Sequence, residues 1–324
     1  MHTVIRPFTP GDYPAVTAVT NAAFPEYPGS EEELRYRDEH RDPKCKFRRW
    51  VAERDGRVVA VGAYGQYAGM YHPRKFWGEI YVHPDCQRQG IGSALYDCVL
   101  DALAPFDPLS LRADSREDWA GTIRFLRARG FEEDMRSWES RLDVAAFDPA
   151  PYVGVEEEVR ANGIVIKTMR ELAADPERDR KLYDLDVELM GDVPHPEPRT
   201  PISYELFEDN QLKNPDLIPD AYFVAIDAAT GEYAGMSNLW NSQGNDDLYN
   251  GLTGVKRSYR RRGIALALKL RGIAWARAQG RPLIKTWNES NNRPMLAINE
   301  RLGFVKQPIW MSFVKHLRDE RGAG

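Results

Sequence analysis

The stretch TGVKRSYRRRGIALALK, Thr253 to Lys269, joins a short apolar run to a basic turn and then opens into a helix-forming segment. Gly263 allows a tight turn with no Cβ in the way. The following IALALKLRGIAWA has helical spacing and strong helix formers, so free N–H groups point out of its first turn. A helix N-terminus carries about half a positive charge, and Arg260, Arg261 and Arg262 add full charges beside it. An anion with several oxygens, such as a pyrophosphate, suits that arrangement. Together with Lys256 and Arg257 the same residues also read as a solvated surface turn, and one such loop does not separate the two readings.

A second loop does. Tyr81 to Leu95, YVHPDCQRQGIGSAL, repeats the design: an apolar strand end, a polar turn through Gln87-Arg88-Gln89-Gly90-Ile91-Gly92, then a helix. Gly90 and Gly263 lie 173 positions apart, and so do the glycines of RGF at Gly130 and LGF at Gly303. Equal spacing at two landmarks indicates an internal duplication. VIR at Val4–Arg6 and VIK at Val165–Lys167 are 161 apart, so the second copy carries about twelve extra residues early in its fold.

A chain of 324 residues accommodates two domains with sizeable cores, and 42% hydrophobic with 29% charged residues is ordinary for a globular protein. No run approaches about eighteen apolar residues, and MHTVIRPFTPGD lacks the layout of a signal peptide, so a cytoplasmic protein with no membrane partner is expected. Cys45, Cys86 and Cys98 show neither a disulfide framework nor metal-ligand spacing. A net charge of −5 argues against a dedicated nucleic-acid binder. The oligomeric state is not legible.

Turn and cap signals divide the chain into a first copy over 1–146, a linker over 147–163, a second copy over 164–317 and a polar tail over 318–324. Ser30 with Glu33 reads as a capping box, Asp55-Gly56 as a hairpin turn, and Leu182, Leu185 and Leu189 as one helix face. The prolines of Gly191–Pro201 predict a stiff, extended loop. Helices and hairpins alternate as in a mixed α/β sheet, not a doubly wound one.

The chain resembles the GNAT superfamily of CoA-dependent N-acetyltransferases in a tandem two-domain arrangement. The family's loop, Gln or Arg, two residues, Gly, one residue, then Gly or Ala, is matched by Gln87/Gly90/Gly92 and by Arg260/Gly263/Ala265, and Gly-Phe ends a later helix in both copies. The resemblance implies two tandem GNAT domains binding acetyl-CoA. The cofactor-binding residues it implies are Tyr81, Val82, Gln87, Arg88, Gln89, Gly90, Ile91, Gly92 and Ser93 in the first copy. In the second they are Gly254, Val255, Arg260, Arg261, Arg262, Gly263, Ile264 and Ala265. The family's last helix often carries an Asn and, seven residues on, a Tyr. The second copy has Asn292 and Asn299 there and the first has Trp119 and Leu126. The second copy is therefore expected to be the better catalytic candidate, with Asn292 on the cofactor.

Attack on a thioester needs an amine that has lost a proton and a donor for the oxyanion. Glu79 has the chemistry of a general base, and Asp247 and Tyr249 occupy the corresponding strand of the second copy, where a strand-end Asp also reads as merely solvated. Asn299 completes the catalytic candidates. Asp192, His195 and Glu197, in the proline-rich loop, are candidates for binding the acceptor, with a plain surface loop as the other reading. Trp240, Trp287 and Trp310 read as core or as pocket walls. The expected activity is transfer of acetyl to a primary amine by direct attack in a ternary complex, the acceptor a small molecule as for mycothiol synthase-like two-domain acetyltransferases, or an antibiotic, with a peptide ranked lower. A non-catalytic acyl-CoA-binding protein is the competing class, and a peptidoglycan-precursor aminoacyl transferase ranks lower because both cradles are intact.

Overall fold

A computed structural model of the chain describes residues 3–318. All but Arg318 of the expected tail lies outside the described residues. The first half runs β1 (Thr3–Pro7), α1 (Tyr13–Ala23), α2 (Glu31–Glu39), β2 (Arg48–Arg54), β3 (Arg57–Gly65), β4 (Lys75–Val82), α3 (Ile91–Leu103), β5 (Ser110–Arg116), α4 (Ala120–Arg127) and β6 (Glu132–Asp143). The second continues with α5 (Val155–Ala161), β7 (Ile164–Thr168), α6 (Arg178–Met190), α7 (Tyr204–Phe207), β8 (Leu217–Asp227), β9 (Tyr233–Asn241) and β10 (Leu248–Val255). It closes with α8 (Ile264–Ala278), β11 (Leu283–Glu289), α9 (Arg293–Arg301), β12 (Val305–Lys306) and β13 (Trp310–His316).

Local chemistry sets these elements. The Ser30 hydroxyl accepts from the Glu33 N–H at 3.0 Å, closing the capping box that starts α2. Asp55 and Gly56 both take positive φ, as the tight β2–β3 hairpin requires. In α6 the side chains of Leu182, Leu185 and Leu189 are buried along one face.

The chain forms two compact units whose boundaries differ from those read along the sequence. Among the described residues, one unit comprises 3–136, 196–202 and 310–318, and the other 137–195 and 203–309. Each takes its last strand from the other half of the sequence. β13 pairs with β5 from Trp310↔Arg116 to His316↔Ser110 in the first unit. In the second, the Ser137–Asp143 part of β6 pairs with β11. Consecutive motifs could not reveal this exchange, because both strands have the expected length and alternation.

The segment expected to link the copies is structured. Val155 and Val159 lie one helical turn apart on α5, and both pack into the core of the second unit against α8. The proline-rich loop carries neither helix nor strand, and its 196–202 portion belongs to the first unit, where the Thr200 N–H donates to the Gly69 carbonyl at 2.9 Å.

In the first unit α1 and α2 cover one face of the sheet through Tyr13, Val16, Val19 and Leu34, and α3 packs on the other through Leu95, whose side chain lies against Gly62. In the second unit α8 is apolar nearly all round and is buried against β8, β9 and β10.

Phe313 is fully buried on β13 and pairs with Ala113. Phe313→Ala is expected to cost about 3–5 kcal/mol and to lower hydrogen-exchange protection in β4 and β5. Loss of protection confined to 203–309 would contradict the strand exchange.

Candidate functional site

The two glycine loops fold alike. Gln87 and Arg260 both sit at φ −68°, ψ 161°, and Arg88 and Arg261 both at φ 61°. Gly90 and Gly263, at φ 83° and 76°, cap α3 and α8 in the left-handed region that favours glycine. The Gln87 side chain donates to the Val82 carbonyl at 3.1 Å, and the Arg260 guanidinium donates to the Val255 carbonyl at 3.0 Å. Each first residue of the motif thus ties the loop back to the strand that feeds it. The first-turn N–H groups of the helix face out beside the strand end.

Beyond the loops the units diverge, starting from strand register. β4 pairs with β5 in parallel only over Lys75↔Ser110, Phe76↔Leu111 and Trp77↔Arg112. Gly78–Val82 has no partner on that side, while its other edge stays paired with β3 through Ala60↔Val82. The two strands splay, and a cavity of about 1210 Å³ opens between them, wholly within the first unit. Its lining runs from Arg88, Gly90, Gly92 and Ser93 at the loop, along β4, to Tyr67, Trp77, Glu79, Asp114, Trp119 and Trp310. A Cβ built on Gly92 would meet Val82 and Phe125 at 3.7 Å, an ordinary contact distance.

Trp77, Glu79 and Tyr81 alternate onto one face of β4, the face covered by α1 and α2. Glu79 is exposed to the cavity and makes no ion pair among the described residues. The nearby Glu79 charge, with burial, holds the Tyr81 phenol well above its usual range, and burial with the same charge pushes Tyr67 up to about 12. Asp114, across the splay, is raised chiefly by burial, although the Ser312 hydroxyl and the Arg112 charge oppose the shift.

The closed end of the splay is held by charge. Arg112 donates to Glu197 at 2.7 Å and to Asp134 at 2.6 Å, and Lys75 reaches the other Glu197 oxygen at 3.0 Å. Glu197 is therefore engaged by two cations at a buried position.

In the second unit β10 pairs with β11 only at Leu248↔Ile284 and Tyr249↔Lys285, so the same splay begins. Against β9, however, β10 carries a bulge between Asn250 and Thr253. Tyr249 thereby takes the strand position of Trp77, and the two bulge residues, Gly251 and Leu252, stand where the first unit has Glu79. Asp247 falls at the position of Lys75, at the closed end, and its carboxylate is bound by the buried Lys285 ammonium at 2.8 Å. The Tyr249 ring stacks on Trp287 at 5.7 Å, the position occupied by Asp114 in the first unit. Trp240 donates to Asn238 at 3.1 Å beside Gly251. The second unit's splay is thus flanked by a Tyr249–Trp287 stack, both rings half-buried, where the first unit has Trp77 and Asp114.

The remaining candidates are dispersed. Asp192 and His195 belong to the second unit and Glu197 to the first, and none of them lines the cavity. Asp192 bridges Arg257 and Arg260, whose guanidiniums hold its carboxyl below the usual range. Asn299 is buried, and its amide donates to Asn288 at 2.7 Å. Asn292 is the residue preceding α9 and is half-buried. Motif reasoning missed Arg37, Tyr67, Trp77 and Asp114. The alternation of Trp77, Glu79 and Tyr81 was a usable signal for the cavity face, but Arg37 sits in a helix too polar to single it out.

Two segments, residues 14–131 and 180–304, match the family model described as "Acetyltransferase (GNAT) family". A mycothiol acetyltransferase of Thermobifida fusca (strain YX) is 26% identical over 282 residues, covering 83% of this chain and 81% of that protein. One of Nocardioides sp. (strain ATCC BAA-499 / JS614) is 26% identical over 240 residues, 70% of this chain and 75% of that protein. A solved tandem GNAT protein from the clavulanic acid biosynthesis pathway, without AcCoA, superposes with a TM-score of 0.75 at 20% identity, over 98% of this chain and 100% of that one. A GCN5-related N-acetyltransferase from Sphaerobacter thermophilus gives a TM-score of 0.71 at 19% identity, over 98% and 96%. The two structural likenesses speak to the fold alone. Among the described residues no helix is long and apolar enough to cross a membrane.

A polar network runs beside the second unit's bulge: Ser237 with Thr253 at 2.8 Å, Thr253 to Asn250 at 3.2 Å, and the buried Lys269 ammonium to the same Asn250 oxygen. Burial lowers Lys269 from 10.5 to about 7. Between those values the unfolded chain binds the proton that the folded chain releases, so stability rises with pH across that window. Lys269→Met is expected to stabilise the protein in urea denaturation near neutral pH, with the gain shrinking toward about pH 10. An equal gain at both pH values would contradict the buried, depressed lysine.

Proposed function

The chain belongs to the acetyltransferase (GNAT) family and is an N-acetyltransferase. From that premise we propose that it moves acetyl from acetyl-CoA to a primary amine of a small molecule by direct attack, within the cavity of the first unit. The observation that carries this reading is the open splay of β4 from β5, which joins a glycine cradle at one end to an unpaired carboxylate, Glu79, at the other. The expectation that favoured the second copy rested on Asn292, whereas strand register gives that copy the Gly251–Leu252 bulge and the Tyr249–Trp287 stack at the equivalent positions.

The residues present fit acetyl-CoA. The first turn of α3, with Arg88 and Arg124 on the same cavity, suits phosphate oxygens. The free edge of Gly78–Val82 offers N–H groups to an extended amide arm. When bound, the molecule supplies a thioester whose C–S bond breaks as the amine nitrogen forms the new C–N bond. Glu79 takes the proton that the amine must lose, directly or through water. Tyr81, with its phenol held protonated, remains a donor on the same strand face. A free thiol titrates at about 8.5, so the departing thiolate needs little help.

In the second unit the preserved cradle, beside a bulge with no carboxylate at the Glu79 position, favours a role in binding or support without turnover.

Glu79→Gln is expected to lower turnover, followed as CoA thiol release, by at least about 10²-fold with acetyl-CoA affinity unchanged. Wild-type turnover in Glu79→Gln, or loss of turnover in a Tyr249→Phe variant instead, would overturn the assignment to the first unit.

A further inference from the structure

The acceptor end of the cavity has two walls of opposite sign. Glu79 on β4 and Asp114 on β5 form one. The other comes from α2 and the residues just after it, where Arg37 and Arg41, one helical turn apart, both line the space. The positive wall is not neutralised. Asp38 is the carboxylate beside it, bonding Arg41 at 2.9 Å and the buried Arg49 at 2.6 Å, so one negative charge serves two guanidiniums. Arg37 makes no ion pair among the described residues. Its charge nevertheless reaches the Tyr67 and Tyr81 hydroxyls, the groups that also feel Glu79 and Asp114. Cation and carboxylates therefore face the same volume. Between the walls the surface is aromatic: Tyr67 meets Trp77 edge to face at 4.9 Å, and Arg41 lies over the Phe47 ring at 3.5 Å.

A guanidinium and a carboxylate that share a cavity without touching each other leave a place for a ligand that pairs with both. An amine with no other charge would satisfy the Glu79 wall and leave Arg37 unpaired. A diamine would set a second cation against Arg37 and Arg41. We infer that the acceptor is an amine that also bears a carboxylate, its nitrogen directed to Glu79 and its carboxylate to Arg37, with an apolar body along Tyr67 and Trp77. This rests on the first unit being the transfer site and names the substrate class of that site.

The test compares matched amines with and without the carboxylate, in the full-length protein with acetyl-CoA: phenylalanine against phenethylamine, γ-aminobutyrate against n-butylamine, with putrescine as the dicationic arm. At least one carboxylated amine is expected to exceed its partner by at least about tenfold in kcat/KM. Arg37→Met should erase that advantage through KM, with a markedly smaller loss for the uncharged-tail amine, and Arg37→Lys should restore part of it. Calorimetric titration of the same amines into the CoA-saturated protein gives a readout independent of turnover, and Arg37→Met should weaken chiefly the carboxylated member. Preference for n-butylamine, phenethylamine or putrescine, or an equal loss for both members of a pair in Arg37→Met, would overturn the inference and leave acetyl transfer standing. Absence of turnover and of binding with every amine would overturn the transfer reading itself, and this inference with it.

Discussion

The structure depends on where β4 stops pairing with β5. Three parallel pairs, ending at Trp77↔Arg112, hold the strands together, and beyond them Gly78–Val82 keeps one edge bonded to β3 and leaves the other without a strand partner. An unpaired edge inside a sheet leaves backbone polar groups without partners, which is costly unless a ligand or water meets them. The sheet tolerates it because the closed end is clamped by the Lys75, Arg112, Glu197 and Asp134 cluster. Removing one partner of a buried pair of this kind costs about 3–5 kcal/mol. Glu197 arrives on a segment embedded in the second half of the sequence, so the first unit is incomplete without it.

The second unit varies the same geometry. Its closed end holds the Lys285–Asp247 ion pair where the first unit has the four-residue cluster. One inserted residue makes the β10 bulge, where Gly251 and Leu252 stand in place of the Glu79 carboxylate, and Tyr249 stacks on Trp287 at the positions of Trp77 and Asp114. The cradle loops, by contrast, agree in backbone angles at Gln87 and Arg260 and at Arg88 and Arg261. A duplicated fold has kept the anion-binding turn twice, while the carboxylate beside it stands on the feeding strand of the first unit.

Much of this was legible in the residues. Gly90 and Gly263 marked both cradles because left-handed backbone angles and close approach require glycine, and both angles are present. The hairpin at Asp55-Gly56 and the face of Leu182, Leu185 and Leu189 were set by local chemistry and appear as expected. The unit boundaries were not legible, because strand exchange depends on which edge β6 and β13 reach, and alternation along a strand does not encode its partner. Asp247 and Glu79 are both carboxylates on the strand that feeds a loop, but Asp247 stands sixteen residues before Gly263 and Glu79 eleven before Gly90, so even with the one-residue bulge Asp247 falls at the closed end as a clamp residue. Arg37 carried no motif, since its significance arises from Asp38 being shared by Arg41 and Arg49.

Hydrogen exchange of the intact chain with and without acetyl-CoA tests the central claim most directly, because it reads both cradles in one sample. Protection gained at 78–82 and 88–93, whether or not 251–255 and 261–266 also gain it, is the result expected if the open splay of the first unit is the transfer site. Protection confined to the second pair of segments would contradict it.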